Sequence, residues 1–372
     1  MDFEQTLEGQ AAAELAASIL EKHASPERLR IVDKFAIRFD YQLWRQFADA
    51  QLLSLALPEA QGGSGLGILE ACSLLIEVGR KVAPVPVAQH LVTGMTIARY
   101  GSEPQKARWL REGNGADFML SAAVSEEREW NPLHPTTRAE NDGSRWLLSG
   151  RKTLVPMGPL ADLFVVSADT AQGLTIFLVH ADDSGVMVTN QEVTGGDLAA
   201  RIDFDRVAVP LDRVLGVVGD GVDIVRWFGT HLTVALCAQQ LGTLEGALHL
   251  TAEYAKKREQ FGKPIGAFQA VSQRLADAYI DVVGSRLTMW QAAWQLSEGL
   301  PGAEAVAIAK MWAADAGHRV AHTTVHVHGG VGIDLEGEAH RYFTAAKRQE
   351  FWAGGSTEMA RYIGYILSRQ HL

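Results

Sequence analysis

Near its C-terminal end the 372-residue chain runs FWAGGSTEMARYIGYIL from Phe351 to Leu367. Gly354 and Gly355 precede Ser356, a residue type that caps helices, and an apolar-periodic run follows. A helix start fronted by small residues can hold an anion, a cofactor or a carboxylate, because free N–H groups and the helix dipole favour negative charge there. Neither glycine carries that carboxylate. Upstream, YAKKREQFGKPIGAFQ (254–269) joins two long helical patterns. Lys256, Lys257 and Arg258 fall in the last turn of the first, where cations complement the dipole, and Gly262, Pro264 and Gly266 make the bend. Arg258 has the planar fork that matches phosphate oxygens, with Gln260 and Phe261 beside it. A basic helix end running into a loop would use the same residues. In HVHGGVGIDLEGEAHRYFTAAKRQ (326–349), Gly329, Gly330 and Gly332 allow a ligand close to the backbone, or simply end a helix. This is not a dinucleotide fingerprint, because no strand–helix–strand unit surrounds it.

His318, His322 and His326 recur every four residues, a spacing that can present two imidazoles to a metal. No acid or cysteine cluster accompanies them and no H-E-x-x-H occurs, so a polar stripe at a subunit or cofactor contact is the better reading and no metal is expected. No G-x-S-x-G elbow supports serine hydrolase chemistry. The net charge of -10 argues against a nucleic-acid partner. The longest charge-free run, Trp227 to Leu244, contains Gly, Thr, His and two Gln. It reads as a buried core helix rather than a membrane span, which needs about 20 apolar residues. Cys72 and Cys237, the two cysteines, read as buried free thiols in a reducing compartment, and the acidic MDFEQTLEGQ start is unlike a signal peptide. A cytoplasmic protein is expected.

Three elements of organisation must position these residues. Residues 1–116 are helical in pattern, with TLEGQAAAELAASILEKHA, FDYQLWRQFADA, ILEACSLLIEVGRKV and a segment near Val87 to Tyr100. Residues 117–216 turn to short β-type runs, FMLSAAVS, RWLLSG, ADLFVVSA, LTIFLVH, GVMVTN and ARIDFDRVAV, spaced as in a barrel or sandwich. Residues 217–372 are helical again, with segments at 220–260, 268–298, 302–328, 338–352 and 356–370 that suit a bundle of long antiparallel helices. The expected fold class is a multi-domain α+β chain in the order α, β, α.

LALPEAQGGSGLG, REQFGKPIGAFQ, HVHGGVGI and GGSTEMAR, in that order over the whole chain, resemble the acyl-CoA dehydrogenase family. The resemblance implies an FAD cofactor held between a middle β-domain and C-terminal helices. It also implies an acyl-CoA thioester substrate and an electron-transfer flavoprotein or similar acceptor. A Glu in such enzymes removes the α-proton while the β-hydride passes to the flavin. That chemistry requires a base beside the α-carbon and donors on the thioester carbonyl.

Against that pattern the chain departs in one half. Gly354 stands where the family's last motif has its Glu. A branch of the family carries the base on the helix before REQFG, but FGTHLTVAL (228–236) has His231 and no acid; Asp223 and Glu245 lie about two or more turns away. AAVSEEREWNP (122–132) keeps Ser125 of a flavin loop and loses its Gly-Ser end. KTLVPMG (152–158) puts Leu154 and Pro156 at positions that otherwise line the flavin ring. Arg258, Gln260, Phe261, His326 (where the family usually has Gln), Gly329 and Gly330 match positions that hold the ADP half of the neighbouring subunit's FAD, and Gln269 and Ser356, the latter kept at the helix start, are further cofactor-binding candidates. The resemblance therefore implies a subunit without a catalytic residue of its own, paired with a homologous Glu-bearing subunit. It is most similar to the small subunit of α2β2 steroid side-chain enzymes. A self-sufficient homotetramer with a relocated base, and a scaffold that binds neither FAD nor CoA, are the alternatives.

Overall fold

The computed structural model describes residues 6–127 and 131–370. The chain opens with α1 (Leu7–His23), α2 (Pro26–Val32), α3 (Tyr41–Asp49), α4 (Ile68–Arg80), α5 (Val87–Tyr100) and two single turns, α6 (Glu103–Gln105) and α7 (Arg111–Gly113). Next come β1 (Leu120–Ala123), β2 (Arg138–Asn141), β3 (Arg145–Pro156), β4 (Leu163–Thr170), β5 (Gly173–His180), β6 (Val186–Gln191), β7 (Ala199–Pro210) and β8 (Val214–Leu215). The rest is α8 (Gly221–Lys257), a hairpin of β9 (Glu259–Gln260) and β10 (Lys263–Pro264), α9 (Gln269–Ser297), α10 (Ala303–His328), α11 (Ala339–Phe351) and α12 (Ser356–Gln370). Helices, then a sheet, then long helices is the order read from the sequence. No helix of the described residues is long and apolar enough to cross a membrane.

These elements form two compact units. One takes Asp33–Gly67 and Pro84–Leu232 and is built on a sheet in the order β6-β7-β3-β2-β4-β5-β8, with β1 pairing β4 in parallel. Apolar runs such as LFVVSA in β4 and LTIFLV in β5 are buried on both faces, which is why they show no polar alternation. Trp146 and Phe177 meet edge to face at 5.5 Å in its core, beside Phe164 and Ile202. At the helical end of this unit the buried His90 accepts the Leu120 N–H at Nδ1, and its Nε2 lies 3.1 Å from the Gly113 carbonyl. Trp44 stacks edge-on against the same ring at 5.2 Å.

The other unit takes Met1–Val32, Ile68–Ala83 and Thr233–Leu372. In it α10 packs against α9, α11 and α12, and α1 packs on α4. Helices α4 and α8 approach closely at two glycines. A Cβ placed on Gly79 would stand 1.9 Å from the Gln239 carbonyl oxygen, and one on Gly242 1.8 Å from that of Ile76. Only glycine permits two helix backbones to touch in this way. Cys72 and Cys237 are both buried free thiols, and burial pushes Cys237 up to about 12 and Cys72 higher still. Glu245 closes the crossing, its carboxylate ion-paired with Arg80 at 2.8 Å and with Arg286 at 2.5 Å.

Gly242→Ala should cost about 3 kcal/mol or more, since the added methyl meets backbone on both sides and overpacking cannot relax through a rotamer. Gly364 on α12 has nothing within 4 Å of its Cβ position. Gly364→Ala should therefore stabilise by about 0.5–1 kcal/mol through helix propensity. Urea midpoints of the two variants should move in opposite directions.

Candidate functional site

The connection from α11 to α12 carries the GGST stretch. Lys310 of α10 is almost fully buried and donates to the carbonyls of Gln349 (3.0 Å) and Glu350 (3.1 Å), tying down the C-terminal end of α11. Burial lowers its pKa, with Cys237, Glu350 and Glu358 opposing. Ala353 and Gly354 then take φ of +61° and +98°. Helix α12 begins at Ser356, so this serine is the first helical residue and not the cap expected from its type. The Glu358 carboxylate instead accepts the Gly355 N–H at 3.0 Å, the reciprocal half of a capping box. It wins because a side chain three residues into the helix reaches back to that exposed donor. No carboxylate stands at 354, and Glu358 is engaged in capping.

The REQFG stretch sits just past α8. Arg258 lies beyond the last helical residue, Lys257, although its N–H still bonds Tyr254 O at 2.8 Å. Gln260 pairs Lys263 across the β9–β10 hairpin. The turn residues Phe261 and Gly262 have φ of +53° and +78°, the two left-handed positions of a primed hairpin turn. Phe261 is 93% exposed in this strained position, touching Phe268 edge-on at 6.1 Å. Arg258, Gln260 and Gln269 are exposed too, and the Arg258 side chain has no ion pair among the described residues. At the other stretch, His326 is exposed in the last turn of α10, while His328 is buried and stacks on Tyr254 at 4.3 Å. Thr251 donates to Thr324 at 3.1 Å one turn earlier. These contacts bring the Arg258 and Gly329–Gly330 motifs to the same end of α8 and α10. Gly329 needs its glycine for φ +65°; Gly330 has neither a positive φ nor any atom within 4 Å of its Cβ position. The space there is open to a ligand.

The histidine stripe divides. The His318 ring meets that of His322 at a tilt, 4.5 Å away, and its Nδ1 lies 3.0 Å from Lys347 Nζ and 3.3 Å from Glu350 Oε1. His322 meets Phe343 edge-on at 5.3 Å. His326 faces solvent. Among the described residues no group of three or more His, Cys, Asp or Glu is placed to hold a metal.

In the sheet unit, Arg128, Glu129 and Trp130 of AAVSEEREWNP lie outside the described residues. The Ser125 carbonyl accepts the Thr153 N–H at 3.0 Å. Next to it is a pair the motif reading missed. Fully buried Lys152 donates to Glu126 Oε1 at 2.7 Å and to Ser167 Oγ at 3.0 Å. Glu126 also accepts the N–H groups of Thr136 (2.6 Å) and Thr137 (3.0 Å). Burial pushes the Glu126 carboxyl up, but Lys152 and the threonines outweigh it and bring it to about 2. Burial lowers Lys152 to about 8 against the pull of Glu126. A Glu and a Lys this far apart in sequence leave no spacing signal. The following segment has Leu154 at φ +51°, 53% exposed, its N–H on Gln191 Oε1 at 2.7 Å. The Pro156 carbonyl accepts the Ser121 hydroxyl. Neither residue offers a side-chain donor.

The region of the alternative base has no carboxylate either. His231 is buried, stacked on Trp227 at 3.7 Å with Nδ1 2.8 Å from the Trp227 carbonyl, and burial carries it down to about 4. Asp223 is exposed, 4.0 Å from Arg226. Glu245 is taken by Arg80 and Arg286.

The family models described as the N-terminal, middle and C-terminal domains of acyl-CoA dehydrogenase match residues 6–127, 112–207 and 219–365. The chain is 43% identical to the acyl-CoA dehydrogenase FadE27 of Mycobacterium tuberculosis over 99% of both chains. It superposes with a TM-score of 0.94 on a chain of the ChsE4-ChsE5 complex from Mycobacterium tuberculosis, at 44% identity and 99% coverage of both. A variant of the Tcur3481-Tcur3483 steroid ACAD gives a TM-score of 0.91 at 38% identity and 98% coverage of both.

Burial also lowers His90 to about 4 from an ordinary 6.5. The unfolded chain takes up protons at His90 and His231 near pH 6.5, the folded chain only near 4. Their contribution is complete above about 6.5 and falls as pH drops towards 4, by about 2 kcal/mol per histidine at pH 5. Urea unfolding at pH 7 and pH 5 should show this loss, and His90→Gln should remove about half of it, the His231 share remaining.

Proposed function

Because the chain belongs to the acyl-CoA dehydrogenase family, we propose that it is the non-base subunit of a heteromeric enzyme that desaturates an acyl-CoA. The observation that carries this reading is the split between two ends of the helical unit. At one, position 354 is glycine and Glu358 is engaged in capping. At the other, Arg258, Gln260, Phe261 and the Gly329–Gly330 bend are exposed, with open space at Gly330. A chain that had lost all function would have no use for a strained, exposed Phe261.

FAD is the cofactor of this family and supplies hydride acceptance when bound. The open cradle at Gly330 and the exposed guanidinium of Arg258 fit the ADP half of such a group. In this proposal Arg258 pairs with a pyrophosphate of the partner subunit's FAD, Gln260, Phe261, Gln269 and His326 line its adenosine end, and Gly329–Gly330 let it approach the backbone. Ser356 keeps a hydroxyl at the α12 start. Leu154 and Pro156 fit a flavin ring poorly, so this chain's own ring site is impaired. The base comes from the partner subunit, and the product is the α,β-unsaturated thioester. Similarity to the ChsE4-ChsE5 complex and to a steroid ACAD supports a two-chain assembly and a steroid side-chain CoA ester as substrate.

The test is colour and turnover. Yellow protein with acyl-CoA-dependent dye reduction is expected only when this chain is co-expressed with a Glu-bearing paralogue. Yellow, active protein from this chain alone would overturn the proposal. In the co-expressed complex, Arg258→Ala should remove a contact of about 1.5–3 kcal/mol, a roughly 10- to 150-fold weaker hold on FAD. Unchanged flavin content per complex would contradict the donated contact.

A further inference from the structure

We infer that the missing base is fixed in the backbone, so that a working carboxylate cannot be put back at Gly354 by substitution alone. This rests on the reading of Gly354 as the base position given above. Three observations converge on the turn from Phe351 to Ser356.

The first is conformation. Ala353 and Gly354 are consecutive left-handed residues at φ +61° and +98°. Any side chain at +98° is strained whatever room surrounds it, and Ala353 already bears the cost of a Cβ in that region.

The second is that the flanks hold the turn in this shape. Lys310 fixes the carbonyls of Gln349 and Glu350. Trp352 N–H bonds Arg348 O at 3.2 Å and Gly354 N–H bonds Phe351 O at 3.1 Å. Glu358 holds the Gly355 N–H, and Met359 N–H bonds the Gly355 carbonyl at 3.1 Å. Relaxing φ at 354 would break contacts on both helices.

The third is direction. A Cβ at 354 would stand 2.6 Å from Met359 Cε and 3.8 Å from Glu358 Cβ. The Met359 methyl ends a flexible side chain and can move aside. Glu358 cannot leave without releasing the Gly355 N–H, and a second carboxylate beside it is opposed by like charge. A Glu at 354 is therefore aimed onto the first turn of α12.

Four variants of the full chain, co-expressed with the partner subunit, test this: Ala353→Gly, Gly354→Ala, Gly354→Glu, and Gly354→Glu with Met359→Ala. Ala353→Gly should melt at or above the parent, and Gly354→Ala about 2–4 °C below it. In complexes whose partner base has been replaced, neither Glu variant should restore flavin reduction by acyl-CoA. Gly354→Ala melting with the parent, Ala353→Gly melting clearly below it, or flavin reduction by either Glu variant would each overturn the inference. If Gly354→Glu does not fold, the other two single variants still decide. Activity of the parent chain alone would defeat the heteromer proposal while leaving this melting order as a separate measurement.

Discussion

The helical unit depends on one contact, the backbone-to-backbone crossing of α4 and α8 at Gly79 and Gly242. With no side chain at these two positions, the place of α8 along α4 is tightly set, because a Cβ at either would enter a carbonyl oxygen. Gly246 extends the seam, where Tyr342 packs close and its hydroxyl donates to Arg80 O at 2.9 Å. From that crossing α8 runs to Lys257 and delivers Arg258 and the Phe261 turn. The Tyr254–His328 stack then fixes the end of α10, and with it Gly329 and Gly330.

A second regularity concerns acids. Glu245 is closed between two arginines, Glu126 is locked on Lys152, and Glu358 caps α12. Each carboxylate is held by donors that fix its direction. A general base needs the reverse, a lone pair aimed at a substrate carbon with a pKa free to rise on closure. These three acids are structural, whereas Arg258 and Phe261, suited to a phosphate and an aromatic contact, are left exposed.

Much was legible in the sequence. Long apolar-periodic segments located α8 to α12 to within a few residues, because helices of this length carry many turns of signal. The short elements were not: β2 has four residues with a single buried one, Ala139, so no alternation marks it. The motifs around Arg258 and Gly329 could be read because turn glycines and a basic helix end are local features. The Glu126–Lys152 pair could not, since it exists only once β3 and β4 have brought Lys152 and Ser167 together. Ser356 has the residue type of a cap, but whether it or Glu358 caps depends on where the helix starts, which the local sequence does not fix.

By itself the sequence determined which chemistries the chain can supply: a guanidinium at the end of one long helix, turn glycines at the end of another, and no acid at position 354. Composition and order are one-dimensional, and the absence of a side chain needs no fold to establish it. Only the tertiary structure decided whether that absence is a simple deletion. The φ of Gly354, the Lys310 and Glu358 anchors and the backbone contact of α4 with α8 are relations between distant residues. They arise from packing and hydrogen bonding that no local pattern encodes.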